Sequence, residues 1–192
     1  MTSHRPATDA ARQGNVTLRW AMFAVPIVAL AIFIGINVAS EAADGSDLAE
    51  HDAPGFELPS LTGDTVALDD VLDGGDALLF FSMGVGCDGC FAQIPEVEDE
   101  LAARGIDLIP IKVNAPEDLA REAARFGIDR PILVDADRRV SEAYGMLGQF
   151  GHGDLPSHSF AHVSSDGTIE HTLHYAEMFV PLDQLLTDLE LS

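Results

Sequence analysis

Two cysteines, Cys87 and Cys90, stand three positions apart in the stretch MGVGCDGCFAQIP, residues 83–95, and the chain has no others. An apolar run of buried-strand type, residues 77–81, precedes them, and a segment with apolar residues at helical spacing follows. The amino terminus of a helix stabilises a thiolate through unpaired backbone N–H groups and the helix dipole. The spacing therefore predicts thiol–disulfide exchange, in which Cys87 attacks and Cys90, one turn further, resolves the mixed disulfide.

Two other uses of the cysteine pair stay open. A structural zinc site usually needs four ligands, so histidines would have to complete the set that two cysteines begin. A purely structural disulfide would close a very short loop, and the stabilisation from loop closure rises with loop length. The shortage of cysteine ligands and the shortness of the loop both favour a reactive pair over a structural one.

The residues between the cysteines modify the expected chemistry. Asp88 places a negative charge next to Cys87, which opposes thiolate formation and offsets part of the helix-terminus effect. The alternative is that Asp88 points into solvent and is screened there. Gly89 adds backbone freedom at the second intervening position.

The elements around the cysteines alternate between strands and helices. Short alternating runs around residues 62–64 predict a hairpin, and the runs at 106–114 and 131–135 predict two more strands after the cysteine helix. Helices are predicted at 116–127 and 138–146, a second hairpin at 159–175 and a closing helix at 180–191. This order predicts an α/β sandwich with a mixed central sheet.

The first 53 residues differ from the rest. Residues 20–38 form an uncharged run of 19, close to the roughly 20 residues that span a bilayer core. Three arginines precede the run and acidic residues follow it, which places the amino terminus in the cytoplasm and the remainder outside the cell. We therefore predict a cytoplasmic segment at 1–19, an anchor at 20–40, an acidic flexible linker at 41–53 and one domain at 54–192. A cleaved signal peptide is the alternative, although the run is longer than the usual signal core.

The charge of the chain excludes one class of partner. Ten basic residues stand against 32 acidic ones, a net charge of −22, and the only lysine is Lys112. Nucleic-acid binding needs basic patches, so no nucleic-acid partner is expected. The even spread of the acidic residues is typical of a solvated acidic surface.

With these motifs, the chain resembles the thioredoxin-like superfamily, and within it the membrane-anchored redoxins of the TlpA/ResA and AhpC/TSA types. The segments APGFELPSLTGDTVALDDVL, PILVDADRRVSEAYGMLG and LPSHSFAHVSSDGTI carry the resemblance beside the cysteine motif and Pro95. The resemblance implies a three-layer thioredoxin-like sandwich preceded by one transmembrane helix. It also implies Cys87 as nucleophile, Cys90 as resolving thiol and Pro156 as a cis-proline that shapes the substrate groove. The chain departs from the pattern in its glycine-rich approach, residues 83–86, and in the missing proline beside the cysteines.

Two rival functions come with the same fold. A peroxiredoxin would need a Pro-x-x-x-Thr/Ser-x-x-Cys type motif and an arginine, whereas Gly84 stands three residues before Cys87 and only a distant arginine such as Arg130 could fold in. A Sco-like copper chaperone would use the cysteines plus a histidine. Five histidines lie in the last quarter of the chain, and His158, two residues after Pro156, is also a candidate charge partner that tunes Cys87.

The sequence thus predicts an extracytoplasmic, membrane-anchored thiol–disulfide oxidoreductase. Its expected partners are protein disulfides or dithiols and a membrane or soluble redox donor. No cofactor and no metal are expected.

Overall fold

A six-stranded mixed sheet lies at the centre of the protein, whose computed structural model describes residues 43–44 and 51–192. Its strands are β1 (Ala43–Asp44), β4 (Asp76–Ser82), β5 (Ile106–Lys112), β6 (Leu133–Val134), β7 (His158–Val163) and β8 (Ile169–Tyr175). Their order across the sheet is β1-β8-β7-β4-β5-β6. The strands β2 (Glu57–Pro59) and β3 (Thr65–Ala67) form a separate antiparallel hairpin, as predicted.

The central strand β4 has neighbours of both directions. It runs parallel to β5 and antiparallel to β7, with Ser82 opposite Lys112 and Phe81 opposite Ser159. The carboxyl ends of β4 and β5 and the start of β7 therefore lie at one edge of the sheet, which is where the cysteine loop begins. The predicted mixed sheet is confirmed.

Helices cover both faces of the sheet. Alternation along β4 sends Leu78 and Phe80 to one face and Leu79 and Phe81 to the other, and each pair belongs to a separate apolar core. One core packs against α2 (Asp88–Ala103), α3 (Pro116–Phe126) and α5 (Leu182–Asp188). The other packs against the hairpin, α1 (Leu68–Leu72) and α4 (Arg139–Ala143). The arrangement is a three-layer α/β sandwich.

The predicted cytoplasmic segment at 1–19 and the anchor at 20–40 lie outside the described residues. Within the described ranges, no helix is long and apolar enough to cross a membrane. The end of the acidic segment pairs with the domain: the His51 carbonyl accepts from the Ile169 N–H at 2.9 Å and the Ala53 N–H donates to the Gly167 carbonyl at 2.8 Å. His51 and Ala53, at the end of the segment predicted as a flexible linker, are therefore hydrogen-bonded to the backbone at the start of β8 and just before it.

Candidate active site

Cys87 and Cys90 are joined as a disulfide at the amino terminus of α2. Cys87 is the N-cap residue, and its Sγ accepts the Cys90 backbone N–H at 3.1 Å. This N–H lies in the first turn of the helix and also donates to the Cys87 carbonyl at 3.1 Å, and it would stabilise a Cys87 thiolate as well. Cys87 keeps 5% of its surface exposed whereas Cys90 has none. Of the two sulfurs, only that of Cys87 belongs to a residue that solvent reaches.

The glycine-rich segment before Cys87, residues 83–86, is a tight turn that is hydrogen-bonded to the segment after β5. Gly84 has φ of +77°, which strains any residue with a Cβ, and its carbonyl accepts the Cys87 N–H at 3.0 Å. Asn114, two residues beyond β5, accepts the Val85 N–H at 3.0 Å through its side-chain oxygen. A Cβ at Gly84 would collide with that amide group. The two glycine-dependent contacts give the loop a defined shape.

Asp88 points outward and is paired with a cation. Its carboxylate accepts two hydrogen bonds from the Arg125 guanidinium, one of them at 3.2 Å, while 73% of its side chain is exposed. The hydrogen bond from Arg125 is the main cause that lowers the pKa of Asp88. Arg125 also bonds Glu122 and lies 4.4 Å from the Phe126 ring centre. The negative charge next to Cys87 is thus largely balanced by α3, which the sequence did not indicate.

Gly89 lies directly under the loop that joins β8 to α5, residues 176–181. A Cβ at Gly89 would lie 2.9 Å from the Met178 carbonyl carbon and closer still to its oxygen. Since real Cβ atoms essentially never come this close to backbone, the loop would have to move for any side chain here. The close approach therefore leaves no room for a side chain, that of a proline included, at position 89.

Gln93 connects α2 to two other elements. It is fully buried, its Nε2 donates to the Val180 carbonyl at 3.0 Å, and its Oε1 accepts the Val180 N–H at 2.7 Å. His158 Nε2 lies 3.1 Å from the same Oε1. Because that oxygen can only accept, His158 must carry its proton on Nε2.

His158 is therefore a neutral, buried imidazole. Burial lowers its pKa to about 3, with a smaller effect from Lys112, and its Nδ1 has no hydrogen-bond partner. The Phe80 ring packs edge-on against it at 4.8 Å. A neutral ring supplies no positive charge, so the surroundings of His158 do not favour its predicted role as a charge partner of Cys87.

Pro156 lies at the same sheet edge as the cysteine loop, two residues before β7, but its conformation differs from the prediction. Every peptide bond among the described residues is trans, so the predicted cis bond before Pro156 is wrong. Pro156 forms an antiparallel bridge with Leu147, and the Ser157 N–H donates to the Met146 carbonyl at 3.3 Å. This pairing stabilises the extended trans backbone.

A polar pair at the ends of β4 and β5 was missed by sequence reasoning. Lys112 has no exposed surface, and its Nζ donates a hydrogen bond to the Ser82 hydroxyl. Burial lowers the pKa of Lys112 well below its usual value of 10.5. Strand alternation could have indicated it, because Ile106, Leu108 and Lys112 lie an even number of residues apart and share a strand face.

Arg130 and a set of metal ligands, which the rival functions would use, do not converge on the cysteines. Arg130 bonds the Leu108 carbonyl and pairs with Glu98 at 3.1 Å, and Glu98 is eleven residues beyond Cys87, about 16 Å along the helix. In the part of the chain that the structure describes, no three His, Cys, Asp or Glu side chains group as metal ligands would. The copper alternative and a role for Arg130 therefore gain nothing from the geometry, whereas Arg125 does reach the cysteine loop through Asp88.

Comparison with known proteins places this site in a family. The AhpC/TSA family model matches residues 49–172. Peroxiredoxin Bcp of Escherichia coli is 32% identical over 127 residues, which cover 62% of this chain and 80% of that protein. The thiol-disulfide oxidoreductase ResA of Halalkalibacterium halodurans is 30% identical over 102 residues, covering 51% of this chain and 57% of ResA.

The fold agrees with the sequence match. The crystal structure of peroxidoxin BcpB from Mycobacterium tuberculosis superposes with a TM-score of 0.63 at 22% identity, covering 74% of this chain and 96% of that one. The fold is thioredoxin-like, as the resemblance implied, and its relatives are oxidoreductases of two kinds. On the span of the family match and the cysteine pair within it, this chain belongs to the AhpC/TSA family.

Proposed function

We propose that this protein is a thiol–disulfide oxidoreductase that acts on protein disulfides or dithiols through Cys87 and Cys90. The observation that carries the proposal is the bonded pair at the start of α2, where Cys87 is slightly exposed and Cys90 is buried behind it. Solvent reaches the residue that carries the first sulfur but not the residue that carries the second. Pro156, at the same sheet edge, is proposed to border the substrate groove in its trans form.

The proposed cycle moves one electron pair. The Cys87 thiolate attacks a substrate disulfide, an S–S bond forms to one substrate sulfur, and the other sulfur leaves as a thiolate. The Cys90 thiolate then attacks Cys87 Sγ, which releases the second substrate thiolate and forms the Cys87–Cys90 disulfide. The substrate gains two electrons and the pair loses two. A redox donor or acceptor of the dithiol/disulfide class, membrane-bound or soluble, returns the pair to its starting state.

A peroxidase is the second candidate, because Peroxiredoxin Bcp matches more of this chain than the ResA relative does. In that reaction, Cys87 would be oxidised to a sulfenic acid by a hydroperoxide, and Cys90 would condense with it to the disulfide. The position three before Cys87 holds Gly84, which offers no hydroxyl to the peroxide. The exchange reaction is therefore favoured.

The deciding experiment is a redox titration of the full chain in glutathione buffers, read by thiol alkylation and mass spectrometry. We expect one two-electron transition in which both cysteines become alkylated together. Cys87→Ser should abolish exchange, and Cys90→Ser should accumulate a mixed disulfide with a substrate protein. A midpoint of about −270 mV would indicate a reductant and one of about −120 mV an oxidant.

Hydrogen peroxide consumption is measured on the same preparations. The protein would be a peroxidase and not a thiol–disulfide oxidoreductase if it turned over peroxide with a thiol donor and exchanged slowly or not at all with protein disulfides. A pair that never forms a disulfide in any glutathione buffer would overturn both.

We also propose that residues 20–40 anchor the chain in the cell membrane, with the amino terminus in the cytoplasm and the redoxin domain outside. The uncharged run and the arginines before it support this placement. The test has two steps. The reduced pair is alkylated in intact cells with a membrane-impermeant maleimide, and the cells are then fractionated to find the labelled chain. Labelling only in lysed cells, or full-length chain in the soluble fraction, would contradict the proposed topology.

A further inference from the structure

One buried imidazole, at the end of the sheet opposite the cysteine loop, makes no hydrogen bond. His162 of β7 keeps only 6% of its surface exposed, and neither its Nδ1 nor its Nε2 has a hydrogen-bond partner. A neutral imidazole offers one donor and one acceptor, and buried polar groups in native proteins are nearly always paired. Two unpaired nitrogens on one buried ring therefore point to a ligand that this ring would bind.

A carboxylate faces the same ring. Asp76, the first residue of β4, places its Oδ2 3.7 Å from His162 Nε2, which is too far for a hydrogen bond. Its Oδ1 accepts the Ser165 N–H at 2.8 Å, and this bond holds the carboxylate beside the ring. Bonds from zinc to nitrogen and oxygen are about 2.0–2.2 Å long, so two ligand atoms that share an ion lie roughly 3–4 Å apart. The separation suits an ion shared by the two groups.

A second imidazole lies next to the first. His171 of β8 is the register partner of His162, and the two rings are parallel with their centres 6.1 Å apart. With Zn–N bonds of about 2.0–2.1 Å, two imidazoles that share one ion have ring centres at most about 6.3 Å apart. The observed separation therefore lies within the range that a shared ion allows.

A β-bulge adjoins this histidine pair. The register passes from the pair His162–His171 to the pair Val163–Ile169, so β8 has one extra residue, Glu170, directly before His171. Bulges bend a strand, re-aim its side chains and are common next to functional sites. The irregularity in β8 thus occurs at the position where the second imidazole is presented to the first.

The three side chains share one face of the sheet. His162 is opposite Leu78 in the register, and Leu78 belongs to the core that α2 and α5 cover. Asp76 lies two residues before Leu78 on the same strand, so it points to the same face, as does His171 opposite His162. The group lies about 20 Å from Ser82, the end of β4 from which the cysteine loop begins.

We propose that His162, His171 and Asp76 form a binding site for a divalent transition-metal ion of the zinc class, remote from the cysteine pair. Two imidazoles and one carboxylate, with water in the fourth position, are a ligand set that suits zinc. As the side chains stand, the three do not surround one point. The Asp76 side chain is 38% exposed and His171 is half-buried, so these two can rotate toward the fixed ring of His162.

A bound ion would join three strands. It would tie the amino end of β4 to β7 and β8, and it would satisfy one nitrogen of the buried His162 ring. An ion that binds only the folded chain stabilises it by mass action. The inference goes beyond the proposed thiol–disulfide exchange and does not rest on it.

The test is a titration of the full chain with Zn²⁺ in its oxidised form, because the Cys87–Cys90 disulfide then offers no thiolate to the metal. Calorimetry is run in buffered salt with millimolar Mg²⁺, which prefers oxygen ligands and occupies the acidic surface. We expect one Zn²⁺ per chain. In a ¹⁵N-labelled sample, the imidazole signals of His162 and His171 should shift while those of the other histidines stay in place.

Variants on the exposed side of the site identify the ligands. We expect His171→Ala and Asp76→Asn each to weaken Zn²⁺ binding at least tenfold, since even the loss of a group that only orients a ligand costs 10- to 100-fold. The asparagine in the second variant keeps an acceptor for the Ser165 N–H. His152→Ala, which removes a half-buried histidine from the loop after α4, is the matched control and should bind as the wild type does.

Thermal unfolding gives a second readout. Saturating Zn²⁺ should raise the Tm of the wild type and of His152→Ala, and should leave that of His171→Ala unchanged. The proposal is overturned if Zn²⁺ leaves the imidazole signals of His162 and His171 where they were. It is also overturned if His171→Ala and His152→Ala bind Zn²⁺ equally, which would mean adventitious binding to the acidic surface. Failure of the cysteine pair to exchange with thiols would overturn the proposed function and leave the metal site standing.

Discussion

The negative charge of Asp88, next to Cys87, is balanced by Arg125, a residue 37 positions further along the chain. Asp88 would raise the pKa of the Cys87 thiol if it were alone, but Arg125 bonds its carboxylate. Both side chains are largely exposed, so the effect on Cys87 depends on how well the pair holds in solvent.

We predict that Arg125→Gln slows alkylation of Cys87 by iodoacetamide at neutral pH about two- to fivefold at low salt, because an unpaired Asp88 disfavours the thiolate. The rate is measured on the reduced protein. In an Asp88→Asn background, the same arginine change should have no effect. A slowing of equal size in that background would show that Arg125 acts through something other than the carboxylate.

At the scale of elements, α2 is joined to the β8–α5 loop at two points. Gly89 allows the Met178 carbonyl to lie on the first turn of the helix, and Gln93 holds Val180 one turn later through both of its backbone groups. The loop therefore depends on the shape of the cysteine helix.

We predict that Gly89→Ala lowers the free energy of unfolding by about 1–3 kcal/mol, since an overpacked site has to shift its neighbours. Gly55→Ala is the matched control, because a Cβ there meets no atom within 4 Å. Urea unfolding of the oxidised proteins measures both. Equal stability of the two variants would mean that the loop moves away at no cost and that the close approach is not a constraint.

At the scale of the whole molecule, several buried imidazoles link stability to pH. Burial lowers the pKa values of His158, His162 and His174, so the folded protein binds fewer protons at these rings than the unfolded chain does. By linkage, the folded state loses stability as pH falls below the usual histidine pKa of about 6.5. For His158 the loss continues down to its folded pKa of about 3 and is absent above pH 6.5.

We predict that the wild type loses roughly 1 kcal/mol more unfolding free energy than His158→Gln between pH 7 and pH 5.5. The glutamine keeps an N–H donor for Gln93 but does not titrate, and the carboxylates common to both proteins cancel in the comparison. Urea unfolding at several pH values measures the difference. Parallel stability curves for the two proteins would show that His158 is not the buried neutral base described above.

The sequence alone determined the elements and the place of the cysteine pair at the start of a helix. The strand at 77–81, the cysteines at the start of a helix, the hairpins and the closing helix follow from local periodicity and from turn residues, and the structure confirms them. Side-chain period and backbone turn preferences act over a few residues, so one segment contains all the information needed.

Tertiary structure alone decided the surroundings of that pair. Arg125 beside Asp88, Val180 on Gln93 and Met178 over Gly89 join residues more than 30 positions apart, and no local pattern encodes such contacts. Lysine usually marks a surface, so burial of Lys112 contradicts its residue type and follows only from its place on a covered strand. The partners of the Pro156 segment also appear only in the folded chain, where Pro156 forms a bridge with Leu147 and the Ser157 N–H donates to the Met146 carbonyl.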